Sequence, residues 1–240
     1  MEPTFDPRWP SSLKILNEQV ISCRLCPRLV AWREEVAAIK RRAYRDWEYW
    51  GRPVPSFGDP DARLLIVGLA PAAHGANRTG RMFTGDRSGE FLYRALHETG
   101  IANQSDSTSR EDGLQLVDAF ITAPVRCAPP DNKPEPREVL ACEPFLDREL
   151  HLLTNVRVVV ALGNIGFTAY LRYLQRKKLI HFRSPFRFGH SALHQTHKNG
   201  PLLLGCFHPS QQNTSTGKLT AEMLRDVFAR ARRLIEAPEG

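Results

Sequence analysis

Four apolar runs divide this 240-residue chain: RLLIVGL (63–69), LVDAFITAPV (116–125), VRVVVALG (156–163) and PLLLGCFH (201–208). The first is almost entirely apolar, as a strand buried on both faces must be. The other three also read as strands. Helical patterns lie between them. Residues 88–100 start at Ser88, a plausible N-cap, and stop at Gly100. Residues 135–153 carry Pro136 in the first turn. NIGFTAYLRYLQR follows the third strand, and 219–236 closes the chain. Before the first strand, residues 10–45 read as helical, with Leu13, Leu16 and Val20 on one face. Strands that alternate with helices imply a parallel sheet covered on both sides. The expectation is α/β: a three-layer α/β/α domain around a central four-stranded parallel sheet. No repeat, low-complexity tract or linker divides it, so residues 1–240 read as one domain.

In such sheets a ligand binds at the carboxyl ends of the strands. Three of the four strands run into unusual loops there: 70–87, 128–134 and 208–217. These loops are expected to line one cleft. The first invites a nucleotide-binding reading but lacks both G-x-x-x-x-G-K-[ST] and G-x-G-x-x-G. It holds Phe83 between Met82 and Thr84, off any periodic apolar face. Such a ring is either a core plug or a platform for a flat ligand. His208 ends the last strand in F-H-P-S, where Pro209 restricts the chain. A histidine there can face the cleft.

Charge adds a partner class. The formal net charge is +7, and only seven of the 33 basic residues are lysine. Arginine suits bidentate phosphate contacts, so nucleic acid is a natural partner. No stretch approaches the ~18 apolar residues that span a bilayer. The N-terminus has no apolar secretory core, and a cytoplasmic location is expected. Five cysteines are then unlikely to form a disulfide framework. Cys23 and Cys26 form a C-x-x-C pair, Cys127 and Cys142 follow singly, and Cys206 reads as an ordinary buried residue. Four thiolates can hold zinc or an iron–sulfur cluster, and spacing alone does not choose.

Taken together, GLAPAAHGANRTGRMFTGD (68–86), the four cysteines and CFHPSQQNTSTGKLT (206–220) resemble the family 5 (type B) uracil-DNA glycosylases. The resemblance extends from about residue 20 to 230. It implies a monofunctional glycosylase that hydrolyses the N-glycosidic bond of uracil in damaged DNA, single- or double-stranded, and leaves an abasic site. It implies a structural [4Fe–4S] cluster on Cys23, Cys26, Cys127 and Cys142, tying the N-terminal segment to the domain. The base would leave the stack and enter the first loop. There Phe83 would stack on it, and Leu69, Ala70, Ala72, Ala73 and His74 would line its edge.

The residue after the motif's proline guards the C5 side of uracil in this superfamily. Here it is Ala72, small enough to admit 5-substituted uracils, with hypoxanthine as a further candidate. His208 would stabilise the departing base anion. Related families place Asp, Asn or Glu early in the first motif, where this chain has Leu69 and Ala70. Asp86, or else Asn132, is expected to position the water, although Asp86 is equally placed to cap the helix near Ser88. No lysine lies in the first motif, so strand cleavage is not expected. Ser210 and Arg81 are candidate phosphate contacts, and Gln211, Gln212 and Asn213 candidate groove contacts. A monomer suffices for such a reaction. The rival readings are a non-enzymatic metal-bearing nucleic-acid-binding module, an N-ribosyl hydrolase of small molecules and an electron carrier.

Overall fold

The computed structural model describes residues 5–237. Its sheet has the strand order β1 (Phe57–Gly58), β3 (Ala119–Thr122), β2 (Leu64–Val67), β4 (Val158–Leu162), β6 (Leu202–Cys206), β5 (Leu193–Gln195). The four runs become β2, β3, β4 and β6, and all their mutual pairings are parallel. Two short antiparallel edges extend this core: β1 beside β3 and β5 beside β6. The expected four-stranded sheet is therefore the centre of a six-stranded one. Neither edge is legible as a periodic run, because one is two residues long and the other reads Leu-His-Gln. Trp9 covers the outer edge by donating its indole N–H to the Gly58 carbonyl at 2.9 Å.

Successive strand residues serve opposite faces. Leu64, Ile66, Val158, Val160 and Leu204 pack with α4 (Arg87–Glu98) and α8 (Ala221–Glu236). Leu65, Val67, Val159, Ala161 and Leu203 pack on the other side with α6 (Gly163–Arg176), Trp9 and Leu13. The helices α1 (Ser11–Ile21) and α5 (Pro136–Leu152) complete that second layer.

Two expectations need correction. The N-terminal helical stretch is two helices, α1 and α2 (Pro27–Ile39), parted by Ser22–Cys26. Pro27 lies at the start of α2, where it fits the first turn but could not continue a preceding helix. The polar exit loop after β6 contains a short helix, α7 (Gln211–Ser215), capped by the Ser210 hydroxyl. Another short helix, α3 (Ala76–Thr79), lies inside the first loop.

Candidate active site

The carboxyl ends of β2 and β6 carry Phe83 and His208 into one place. Their ring centroids are 5.9 Å apart at an interplanar angle of 34°. Two glycines make the room. A Cβ on Gly68, at the end of β2, would lie 2.9 Å from the Phe83 ring. Gly163, at the end of β4 with φ +86°, would put a Cβ 3.2 Å from the Cβ of His208. Phe83 itself sits at φ +52°, an uncommon conformation for a bulky side chain. The surroundings impose it. The Ser107 hydroxyl donates to the Phe83 carbonyl at 2.9 Å, and the Tyr93 hydroxyl to the preceding Met82 carbonyl at 3.0 Å. Strain held in this way is typical of a residue that must present its face to a ligand.

His208 is fixed through its backbone. The Asn213 side-chain amide donates to the His208 carbonyl at 2.8 Å. The Phe207 N–H donates to Nδ1 of His190 at 3.3 Å, which anchors the preceding residue. Burial of the imidazole pushes its pKa down to about 4. The ring is therefore neutral at pH 7 and donates one N–H. Leu69, Ala70, Ala72, Ala73 and His74 are all half-buried along the same loop. His74 faces the Tyr49 hydroxyl across 3.2 Å, and burial also lowers its pKa.

Several expected residues have other employment. Arg81 is buried and forms a two-pronged ion pair with Asp112 at 2.8 and 2.7 Å, while its Nε donates to Thr84. It cements the loop to the 108–114 turn, so the expected phosphate contact from Arg81 is withdrawn. Asp86 is the N-cap of α4, accepting the Gly89 N–H at 2.9 Å. Burial raises its pKa. Asn132 is exposed on the turn Pro130–Asn132. Ser210 accepts the Asn213 N–H as the cap of α7, and Gln211 and Gln212 are exposed. Ser107 and Tyr93 are supports of Phe83 that no motif marks. They act across long sequence separations or on carbonyls, which leave no residue pattern.

The four cysteines lie on the N-terminal turn, the exit of β3 and α5. Cys26 and Cys127 pack in one small apolar cluster with Leu29, Val125, Val139 and Ala70 of the first loop. Burial pushes the Cys127 thiol up to about 11 and the Cys142 thiol to about 12. Each of these two ionisations is also resisted by charge on others of the set. Among the described residues, no three His, Cys, Asp or Glu side chains converge as they would around a single ion. The guanidinium of Arg33 is buried against this group, with Nη1 2.9 Å from the Cys127 sulfur. Its nearest carboxylate, Glu34, is 3.7 Å away, and its Nε has no partner among the described residues. A buried cation so placed calls for negative charge on the sulfur side. Of the four thiols, Cys127 is the one whose sulfur meets this cation, which favours its thiolate form against burial.

The model of the uracil DNA glycosylase superfamily matches residues 55–232. The chain is 54% identical over 224 residues to a type-5 uracil-DNA glycosylase from Mycobacterium leprae (strain TN), covering 93% of this chain and 96% of that one. It is 52% identical over 217 residues to the type-5 uracil-DNA glycosylase of Thermus thermophilus, covering 90% and 95%. Similarity to a type-4 uracil-DNA glycosylase of Sulfurisphaera tokodaii is lower, 31% over 153 residues, or 63% of this chain and 54% of that one. With the Phe83–His208 site at its strand ends and this extent of similarity, the chain belongs to the uracil-DNA glycosylase superfamily, among its type-5 members.

Proposed function

We propose that the protein excises uracil from DNA by hydrolysis, without cutting the strand. The observation that carries this reading is the meeting of a strained Phe83 and a neutral His208 at the ends of β2 and β6. A base extruded from the duplex stacks on the exposed side of Phe83. The bond between the base nitrogen and C1′ breaks, and its electron pair stays with the base. His208 donates its N–H to the base oxygen as negative charge develops there. The sugar, left as an oxocarbenium-like cation, takes water at C1′. This dissociative course needs little help from a base. Asp86, tied to the head of α4, and exposed Asn132 are the candidates to hold the water. The test is a single-turnover assay on a duplex with one central uracil, followed by alkali. An alkali-dependent nick is expected; intact DNA at excess enzyme would refute the reading. We read it as a cytoplasmic enzyme for which a monomer suffices, since one chain supplies both Phe83 and His208.

Breadth of substrate rests on Ala72, whose small side chain leaves the C5 side of the pocket open. Ala72→Tyr should abolish excision of 5-substituted uracils and of hypoxanthine while uracil excision persists. Equal loss on all three bases would mean that residue 72 does not select.

Cys23, Cys26, Cys127 and Cys142 would hold a [4Fe–4S] cluster, which supplies a cross-link between the N-terminal helices, the exit of β3 and α5 rather than redox turnover. Arg33 answers its negative charge. Anaerobically purified protein should contain about four iron and four sulfide per chain. Cys127→Ser should lower both and the melting temperature. A metal-free protein of unchanged stability would refute the assignment, and zinc in its place would favour the binding-module alternative.

A further inference from the structure

Residues 40–52 read KRRAYRDWEYWGR, arginines interleaved with aromatics. They form neither a core helix nor a free loop. They lie along the loop that carries Phe83. The Trp50 N–H donates to the Arg78 carbonyl at 2.9 Å, and the Gly51 N–H to the Asn77 carbonyl at 3.0 Å. The Arg78 guanidinium carbon is 3.9 Å from the centre of the Tyr44 ring and 4.2 Å from that of Trp47. The same guanidinium donates to the carbonyls of His74 and Gly85, at 2.8 and 2.7 Å. Tyr49 meets His74 from the same segment. The aromatic residues thus root an arm on both ends of the base-holding loop.

The charged residues of the arm point elsewhere. Arg41, Arg42 and Arg45 are exposed, three cations within five positions, while the half-buried Lys40 donates its ammonium to the Arg45 carbonyl at 3.3 Å; the acidic Asp46 and Glu48 come only after them. The Arg41 N–H donates to the Tyr49 hydroxyl at 3.4 Å, and that hydroxyl meets His74, so the basic segment starts beside the base-holding loop. Meanwhile Arg81, the obvious phosphate ligand of the loop, is consumed by Asp112. Phosphates next to an extruded nucleotide need another partner. Arginine forks match them in geometry and charge. We propose that Arg41, Arg42 and Arg45 grip the phosphates of the DNA strand that flanks the flipped nucleotide, with Arg78 transmitting the position of the arm to the base loop. This rests on the glycosylase reading above.

The test compares wild type with the triple variant Arg41→Ala, Arg42→Ala, Arg45→Ala. The probe is a labelled duplex with one central uracil whose 2′-fluorinated sugar resists hydrolysis, and binding is measured across a salt series. Each lost phosphate contact should reduce the salt slope by about 0.9, so the triple variant should lose about 2.7. Its affinity at low salt should fall roughly tenfold or more. The Arg→Lys triple variant should recover most of the slope, since lysine keeps the point charge. Equal melting temperatures show that the variants fold. Unchanged slope and affinity in the alanine variant would overturn the proposal and mark the arginines as merely solvated. A wild type that neither binds nor cleaves uracil DNA would instead refute the glycosylase reading itself.

Discussion

His208→Ala should lower single-turnover excision of uracil by about 10²–10³-fold, the usual cost of losing one aligned donor to a developing anion. Binding of uracil-containing DNA should change far less, because the charge it answers exists only as the bond breaks. His208→Asn, which keeps a side-chain N–H, should recover part of the loss. The pH dependence follows from burial. With its pKa near 4 rather than the ordinary 6.5, the imidazole is neutral throughout the physiological range. The rate should therefore show no fall attributable to this group between about pH 5.5 and 8. Stability, by contrast, does depend on this group. The unfolded chain protonates this histidine below about 6.5, whereas the folded one resists until about 4. The native state is thus favoured above that window and loses ground as pH falls through it. A rate for His208→Ala within threefold of wild type would remove the histidine from the chemistry.

Glu149→Ala should be the most damaging change outside the cleft. The carboxylate is wholly buried in α5, accepts the hydroxyls of Ser56 and Thr122, and pairs with Arg126 at 2.5 Å. The Arg126 side chain is itself only 2% exposed. Removing one member of such a pair leaves an uncompensated buried charge and costs about 3–5 kcal/mol. In a domain of this size that lowers the melting temperature by roughly 6–20 °C. Arg126 directly precedes Cys127, so the loss should also loosen the exit of β3 on which that cysteine stands. Adding Arg126→Met should restore much of the stability, because the stranded charge goes with it. A single variant that melts with wild type, or a double variant no better than the single, would show that this pair is not what holds α5 to the exit of β3.

Much of the architecture is legible in the chain. Each of the four core strands is nearly all apolar because both faces are covered, and each helix between them has its own stop and start. The edges were hidden for the same reason in reverse. β1 and β5 are too short for a period, and their pairing depends on neighbours distant in sequence. The break at Ser22–Cys26 was signalled by Pro27 yet masked by good helical patterns on either side.

The sequence by itself singled out which groups were candidates for the site. Phe83 stood out as an aromatic without a periodic face, His208 as the end of a strand, and the cysteines as a set of soft ligands. Tertiary structure decided how each is used. Arg81 and Asp86 look alike in a sequence whether they meet DNA or their own chain. Only folding brings Asp112 to the first, from 31 residues along the chain, whereas the cap that Asp86 makes on Gly89 is local and was legible as an alternative. The same holds for the Lys40–Trp47 arm, whose Tyr44 and Trp47 rings stack on Arg78 of the base-holding loop while Arg41, Arg42 and Arg45 stay exposed. A residue's type fixes what chemistry it can do. Its partners, brought together over many residues of chain, fix whether that chemistry is spent on the fold or left for a ligand.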